Sequence, residues 1–147
     1  FSNNIATNGG AISSDINSYP ILDRLYFYKN SASSNGGAIK IMSSIWYLNR
    51  SYFIENSANN GGTIYFVTSE QCLINTCSNL TEKHTGYMLN NYFYKNIANN
   101  FGNIYIGLFS CLYSRYNIFQ NNNEYYYREG PRPDALLAGV KLRRVRP

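Results

Sequence analysis

The side chains that could perform acid–base chemistry are few and do not line up along this 147-residue chain. Residues 1–127 contain a single histidine, His84, and six carboxylates, at Asp15, Asp23, Glu55, Glu70, Glu82 and Glu124. Acid–base catalysis needs paired groups, and calcium needs several oxygens in one place. The acids fall at different places in the repeat of the chain, and His84 has no serine or cysteine partner that the repeat brings near. The sequence therefore predicts no catalytic site, metal or cofactor, and we interpret these residues as solvated surface groups.

Three cysteines have more regular spacing. Cys72 lies ten residues after Gly62 and Cys111 nine residues after Gly102, which places the two thiols on neighbouring coils. The distance between neighbouring coils, near 5 Å, suits the Cα–Cα distance of a disulfide. Cys77 is a rival partner for Cys72, and burial of all three as small hydrophobic residues is the alternative. The spacing excludes an ordinary zinc site.

Two sequons for N-glycosylation occur, Asn49-Arg-Ser and Asn79-Leu-Thr. They have meaning only in a secreted protein of a eukaryote. Asn79 is the better candidate, because it belongs to an insertion in the repeat.

Composition and charge favour an extracellular all-β protein. The chain has 22 asparagines and 15 tyrosines, and charged residues make up 14%. The net charge of +5 arises mainly from residues 128–147, since residues 1–127 carry seven Lys/Arg against six Asp/Glu. The body thus lacks the charge of a nucleic-acid-binding domain. The basic tail, 128–147, is predicted to be disordered or foreign sequence.

One motif recurs along the body in register. Copies begin at Phe1, Phe27, Phe53, Phe93 and Phe119, and the first four read FSNNIATNGGAIS, FYKNSASSNGGAI, FIENSANNGGTIY and FYKNIANNFGNIY. The steps are 26, 26, 40 and 26 residues, which places a 14-residue insertion within residues 74–87. A period of this length predicts a stacked solenoid.

The residues between the copies alternate like strands. Ile39 and Ile41 flank Lys40, and Ile104 and Ile106 flank Tyr105, which is the pattern of a strand with one buried face. A sustained helical period and the leucine spacing of leucine-rich repeats are both missing. Three short strands per coil predict a parallel β-helix over residues 1–127, with coils about 4.8 Å apart.

Each repeated residue type has an expected role in this stack. An internal aromatic ladder is predicted for Phe27, Phe53 and Phe93, and a polar ladder at the strand turns for Asn30, Asn56 and Asn96. The asparagine side chains are expected to bind their own turn and the next asparagine, and the following alanine to fit a corner. The left-handed backbone conformation is assigned to the second glycine of each pair, at Gly10, Gly37, Gly62 and Gly102.

Tyrosines supply the candidate ligand face. Tyr65 and Tyr105 are expected to stack outward on adjacent coils, and Tyr28 and Tyr94 to share an outward position with Ile54 between them. Rows of aromatic residues on a rigid sheet suit sugar rings or protein partners, but they are also ordinary β-formers. The projecting insertion is the other candidate contact.

The FxxN and GGAI motifs resemble the repeat of the polymorphic outer membrane proteins of chlamydiae, within the pectin-lyase-like superfamily of right-handed β-helices. The resemblance covers residues 1 to about 122. It implies a secreted or cell-surface passenger domain that mediates adhesion to a protein or glycan of a host or neighbouring cell, and no enzyme. Alternatives are a fragment of a carbohydrate-active enzyme of that superfamily, or a filament subunit that self-associates end to end. The chain opens within a repeat and is interpreted as a fragment.

Overall fold

The protein is a parallel β-helix, as the repeat predicts. The computed structural model describes residues 1–15, 18–42, 45–67, 86–107, 112–123, 126–128 and 141–142. The described elements are β-strands, which stack into four parallel sheets. The coils that begin at Phe27, Phe53 and Phe93 each add one strand to every sheet, so a coil contains four strands rather than the three predicted. The right-handed sense of the coil stays a prediction.

The sheets are numbered here in the order in which the chain visits them. Sheet I contains β1 (Ile5–Asn8), β5 (Ser31–Asn35), β9 (Ser57–Asn60) and β13 (Ile97–Phe101). Sheet II contains β2 (Ile12–Ser14), β6 (Ile39–Met42), β10 (Ile64–Val67), β14 (Ile104–Ile106) and β17 (Tyr126–Arg128). Sheet III contains β3 (Ile21–Asp23), β7 (Trp46–Asn49), β11 (Gly86–Leu89) and β15 (Leu112–Arg115). Sheet IV contains β4 (Tyr26–Tyr28), β8 (Tyr52–Ile54), β12 (Tyr92–Tyr94), β16 (Ile118–Gln120) and β18 (Lys141–Leu142).

Sheet I is the sheet that the sequence did not predict. Its strands are polar, and the inward residue of each is an alanine, at Ala32, Ala58 and Ala98, buried to 5% exposure or less. We expected these alanines at a corner, but they lie in strands, where Ala32 pairs with Ala6 and Ala98 pairs with Ala58 of the neighbouring coils. A strand with one small apolar residue lacks the alternation of polar and apolar residues by which the strands of the other three sheets were predicted.

The core is a set of columns that run along the coil axis. Phe1, Phe27, Phe53, Phe93 and Phe119 stack with ring centroids 4.5–5.0 Å apart and planes within 8° of parallel. Four of them are fully buried, while Phe1 at the end of the stack is 55% exposed. In sheet III, Gly86 pairs with Trp46. Position 86 requires glycine, because a Cβ there would meet the indole ring. Large and small residues thus alternate where the core requires it.

Asparagine side chains hold the corner between sheets IV and I. Asn56 Oδ1 accepts from the backbone N–H of Asn30 at 2.9 Å and from Asn30 Nδ2 at 3.0 Å. Asn56 Nδ2 donates to the Phe27 carbonyl at 3.1 Å and to Asn96 Oδ1 at 3.0 Å. The pattern repeats from Asn96 to Asn122. The backbone partners lie in the preceding coil, whereas the sequence suggested each asparagine's own turn.

This corner forces a left-handed backbone on residues that are not glycine. Lys29, Glu55 and Lys95, each directly before a ladder asparagine, have φ of 51°, 54° and 51°. Such a conformation costs of order 1 kcal/mol or more per residue and persists only where the surroundings impose it. The buried hydrogen bonds of the asparagine therefore fix the direction in which these charged side chains leave the coil.

Two further polar ladders escaped the sequence analysis. At the corner between sheets III and IV, Asn91 Oδ1 accepts from the Ser51 N–H at 2.9 Å, and Asn117 Oδ1 accepts from the Asn91 N–H at 2.9 Å. The spacing signal was present, because Asn91 and Asn117 each lie two residues before a ladder phenylalanine. On sheet I, Asn35 Nδ2 donates to Asn8 Oδ1, and Asn60 Nδ2 donates to Asn35 Oδ1, at 2.9 and 2.8 Å.

The two glycines of each pair have different roles, and our assignment was wrong. The first glycine is left-handed, with φ of 59° at Gly9, 67° at Gly36 and 59° at Gly61. The second is required for space, because a Cβ on Gly37 would overlap the backbone carbonyl oxygens of Gly62 and Ser57. In the fourth copy the strand itself changes: Phe101 belongs to β13 and pairs with Asn60 through a register shift.

The pairing of strands also bounds the insertion. Val67 ends β10 and Gly86 begins β11, so Gly86 and Tyr87, which the predicted window included, are strand residues. Residues 68–85 between them lie outside the described part of the chain. Of the predicted tail, Arg128 ends β17 and Lys141–Leu142 forms β18, which pairs with β16.

We expect replacement of Asn56 by Leu to lower the free energy of unfolding by about 3 kcal/mol, because the Asn30 N–H and the Phe27 carbonyl lose their buried partner. Urea denaturation followed by circular dichroism measures this loss. The matched control is Asn59→Leu, which removes outward hydrogen bonds to Ser33 and Asn99 and should cost no more than about 1 kcal/mol. Equal midpoints for the two variants would contradict a stabilising role for the ladder.

We expect Gly37→Ala to lower the free energy of unfolding by more than about 3 kcal/mol, since the new methyl group meets rigid backbone of the next coil. Thermal and urea denaturation give the size of the effect. In the control variant Gly107→Ala, the new methyl group meets the Val67 side chain, which can shift. A Gly37→Ala protein as stable as this control would show that the coils are not in the contact described.

Candidate functional site

Sheet IV presents its outer surface as two columns of mostly aromatic residues. In β4, β8 and β12 the phenylalanine points inward, so both flanking residues point outward. Strand register aligns Tyr26, Tyr52, Tyr92 and Ile118 in one column and Tyr28, Ile54, Tyr94 and Gln120 in the other. We call these eight residues the tyrosine face. The sequence predicted Tyr28 and Tyr94 as members of a ligand face and missed Tyr26, Tyr52 and Tyr92.

The first column is the more exposed one. Tyr26 and Tyr52 are 51% and 52% exposed, and Ile118 is 49% exposed. The ring centroids of Tyr26 and Tyr52 lie 6.4 Å apart with a 40° tilt, and those of Tyr52 and Tyr92 lie 6.0 Å apart with a 56° tilt. The Tyr92 hydroxyl donates to Gln120 Oε1 at 2.8 Å, which joins the two columns. Exposed aromatic area of this kind is a feature of interaction surfaces.

Lysines border the tyrosine face along the corner towards sheet I. This border, the lysine rim, consists of Lys29, Glu55, Lys95 and Asn121, one residue from each successive coil. Lys29 Nζ lies 5.0 Å from the Tyr28 ring centroid and 3.6 Å from Glu55 Oε2. Lys95 Nζ lies 5.1 Å from the Tyr94 centroid, and in the described residues it forms no ion pair. The four residues line an open groove that follows the coil axis.

Arginines border the other side, at the corner towards sheet III. This arginine rim consists of Asp23, Arg24, Arg50 and Arg115. Arg50 binds Asp23 through two bonds, of 2.9 Å from Nε and 2.6 Å from Nη2, and Arg24 Nε adds a third at 3.0 Å. These bonds, above all those from Arg50, hold the pKa of Asp23 below its usual value of 3.8. The Asp23 carboxylate, which is ionised at neutral pH, is thus already bound by two arginines.

Arg115 occupies the same place in the stack as Asp23. Register aligns Asp23, Asn49, Leu89 and Arg115 in one column. The Arg115 guanidinium lies 5.9 Å from the Tyr113 centroid and 5.6 Å from the Tyr116 centroid. In the part of the chain that the structure describes, Arg115 makes no ion pair. Lys95 and Arg115 are thus exposed cations held against aromatic rings.

The second predicted tyrosine pair is not a free surface. Tyr65 and Tyr105 do stack, with centroids 4.5 Å apart and a 14° angle between the rings. Tyr105 is only 5% exposed, however, and the Phe101 ring lies against it at 5.8 Å. Alternation along a strand shows which face a residue occupies, but it does not show what covers that face. The expected outward ligand role of Tyr105 is therefore wrong.

Other predicted site residues lie outside the described residues. These are Cys72, Cys77, Cys111, Asn79 and His84. The remaining sequon residue, Asn49, is half-buried in β7, where its Oδ1 accepts from Asn90 Nδ2 at 3.1 Å. Ser51 of the same sequon is 1% exposed and donates to the Asn49 carbonyl at 2.9 Å. This sequon is thus part of a packed corner in the folded protein.

The described residues contain no group of three or more His, Cys, Asp or Glu side chains that could bind a metal ion. Asp15, Asp23 and Glu55 are the carboxylates among them, and their positions in the coil differ, as the sequence indicated. No helix that is long and apolar enough to cross a membrane occurs in the described part of the chain.

Comparison with known proteins gives one family. Residues 1–15 and 24–41 match the Chlamydia polymorphic membrane protein repeat. The chain carries a repeat similar to this one. The matched residues include the first two FxxN and GGAI motifs, so the resemblance seen in the sequence is supported for the repeat type. No curated protein and no solved structure matches the chain.

The pKa of Asp23 tests the arginine rim directly. We expect an NMR titration of the Asp23 carboxyl carbon to give a pKa below 3.8 in the natural sequence and a value closer to 3.8 in Arg50→Gln. Because the pKa is lowered by folding, the stabilising contribution is present above the unfolded pKa and is lost as pH falls through the folded value. Arg115→Gln, which removes an unpaired arginine, should leave the Asp23 pKa unchanged. A pKa in Arg50→Gln equal to that of the natural sequence would show that the two-bond contact does not persist in solution.

Proposed function

We propose that this β-helix is a non-enzymatic module of a surface-exposed protein and that it mediates adhesion by binding another macromolecule through the tyrosine face. The observation that carries the proposal is the row of half-exposed tyrosines on sheet IV, bordered on both sides by cations. Tyrosine and arginine supply rigid contact area with polar groups at its edge, and they dominate the energetics of many interfaces. The match to a polymorphic membrane protein repeat supports a place at the cell surface.

The architecture supports a scaffold role for the rest of the module. The phenylalanine, asparagine and glycine residues at fixed positions of the repeat contact neighbouring coils. The side chains at outward positions are therefore the ones available to bind a partner. A solenoid presents such positions at a constant spacing along a stiff axis. A binding face on it is preorganised, so little conformational entropy is lost on association.

Adhesion can be measured with beads that carry the purified chain and a monolayer of epithelial cells. We expect the beads to attach and the double variant Tyr26→Ser, Tyr52→Ser to reduce attachment roughly tenfold, which corresponds to about 1.4 kcal/mol of binding free energy. The control is Tyr19→Ser, Tyr47→Ser, which removes two tyrosines of similar exposure, 64% and 45%, outside the tyrosine face. Circular dichroism verifies that both variants fold. Attachment that is absent, or equal in the two variants, would refute the proposal.

A further inference from the structure

We infer that the ligand of the tyrosine face is a linear acidic polysaccharide, with carboxylated or sulfated sugars, that lies along the coil axis. The inference rests on the proposed adhesive function and names the chemistry of its partner. Three observations carry it: the spacing of the face, the charges of its two rims and the groove beside the lysine rim.

The tyrosine face repeats in one direction only. Each coil adds one residue to each column, at a separation of about 4.8 Å along the axis. This is close to the length of one sugar unit in an extended chain, so a polysaccharide parallel to the axis meets the same type of side chain at successive units. The tilted rings of Tyr26 and Tyr52 expose part of their faces together with their hydroxyl groups. Partly exposed aromatic faces beside hydroxyl donors suit the apolar and polar sides of a sugar ring.

The rims give the face a positive charge. They carry five cations, at Arg24, Lys29, Arg50, Lys95 and Arg115, against the two carboxylates of Asp23 and Glu55. Both carboxylates are already bound by rim cations, so they offer little repulsion to an incoming anion. Lys95 and Arg115, both exposed, are unpaired within the described residues. A polymer with one negative charge per one or two sugars could meet both rims as it passes.

The groove beside the lysine rim fixes the direction of the ligand. It is lined on successive coils by Lys29, Glu55, Lys95 and Asn121, and Asn122 and Ile97 also line it. The left-handed backbone at Lys29, Glu55 and Lys95 gives these residues the same direction of exit from the coil, so the rim follows the coil axis. The groove therefore runs parallel to the two tyrosine columns, and a chain along the axis can contact both.

The same observations disfavour other polyanions and partners. Single-stranded nucleic acid is bound by bases that stack on exposed ring faces. The rings of the first column tilt by 40° and 56° against their neighbours, so they do not form a continuous flat platform for successive bases. A globular protein partner without a repeat of its own would match the regular spacing of the coils only by coincidence. The periodic, cationic face thus fits a periodic, anionic ligand best.

Isothermal titration calorimetry of the full chain tests the inference with four probes: a heparin oligosaccharide, hyaluronan, dextran and oligodeoxythymidylate. We expect the two acidic glycans to bind, dextran and the oligonucleotide to bind at least roughly tenfold more weakly, and raised salt to weaken glycan binding. Lys95→Gln and Arg115→Gln should each weaken glycan binding by roughly three- to tenfold. The matched control is Lys40→Gln, on β6 of sheet II, which should change it less than about twofold.

Each outcome has a defined meaning. Equal binding of dextran and the acidic glycans, tighter binding of the oligonucleotide, or equal effects of Lys40→Gln and Lys95→Gln would overturn the inference. If beads attach to cells through Tyr26 and Tyr52 but no acidic glycan binds, the inference fails and the adhesive function stands, with a protein receptor as its partner. If glycans bind as expected but beads do not attach, the glycan site stands and the adhesive function fails.

Discussion

The fold depends on one hydrogen-bonding requirement, which is that the backbone at each corner must find its partner in the next coil. The N–H of Asn30 is buried at a corner, and the acceptor that satisfies it is the side chain of Asn56, one coil further along the chain. A buried N–H without a partner costs about 1–3 kcal/mol. A coil is therefore stable only when the following coil is in register, and this coupling keeps the period of the sequence at 26 residues. Where 14 extra residues enter the chain, they do so between strands, and the ladder continues from Asn56 to Asn96 unchanged.

The parts of the fold that could be predicted are those in which a residue type recurs at a fixed position because it makes one specific contact there. Phenylalanine and asparagine recur at fixed spacing because ring stacking and the corner hydrogen bonds tolerate few substitutes, so the spacing revealed both columns. Sheet I was missed because Ala32 is the inward apolar residue of β5, and one small residue gives no alternation. The glycine assignment failed for a related reason. Two adjacent glycines can meet two different constraints, and the sequence alone does not show that Gly36 supplies the left-handed φ while Gly37 supplies space for the next coil.

The candidate site was harder to predict than the fold because its residues are also good strand formers. Tyr26, Tyr52 and Tyr92 follow the same period as the phenylalanines, but nothing in their type separates a binding residue from one that covers a sheet. Burial separates Tyr52, half-exposed, from Tyr105, which lies beneath Phe101. To predict the net charge of the rims, the register of the strands is needed as well as the spacing of the residues. Arg50 binds Asp23 across the coils, so this carboxylate repels an anion only weakly. Such a pair joins residues 27 positions apart, so it can be found in the sequence only once the 26-residue register of the coils is known.

The outer columns of sheet IV are the positions at which this architecture permits variation. Tyr28 is aligned with Ile54 and then with Tyr94 and Gln120, and the phenylalanines beneath them stack without interruption. The stack thus accepts aromatic, aliphatic and amide side chains at one outward position, so folding alone does not require tyrosine there. Tyrosine nevertheless occupies five of the six outward positions on β4, β8 and β12. A ligand would contact these outward side chains, whereas the interior side chains are already committed to contacts between coils, which is the physical reason to seek the ligand on this face.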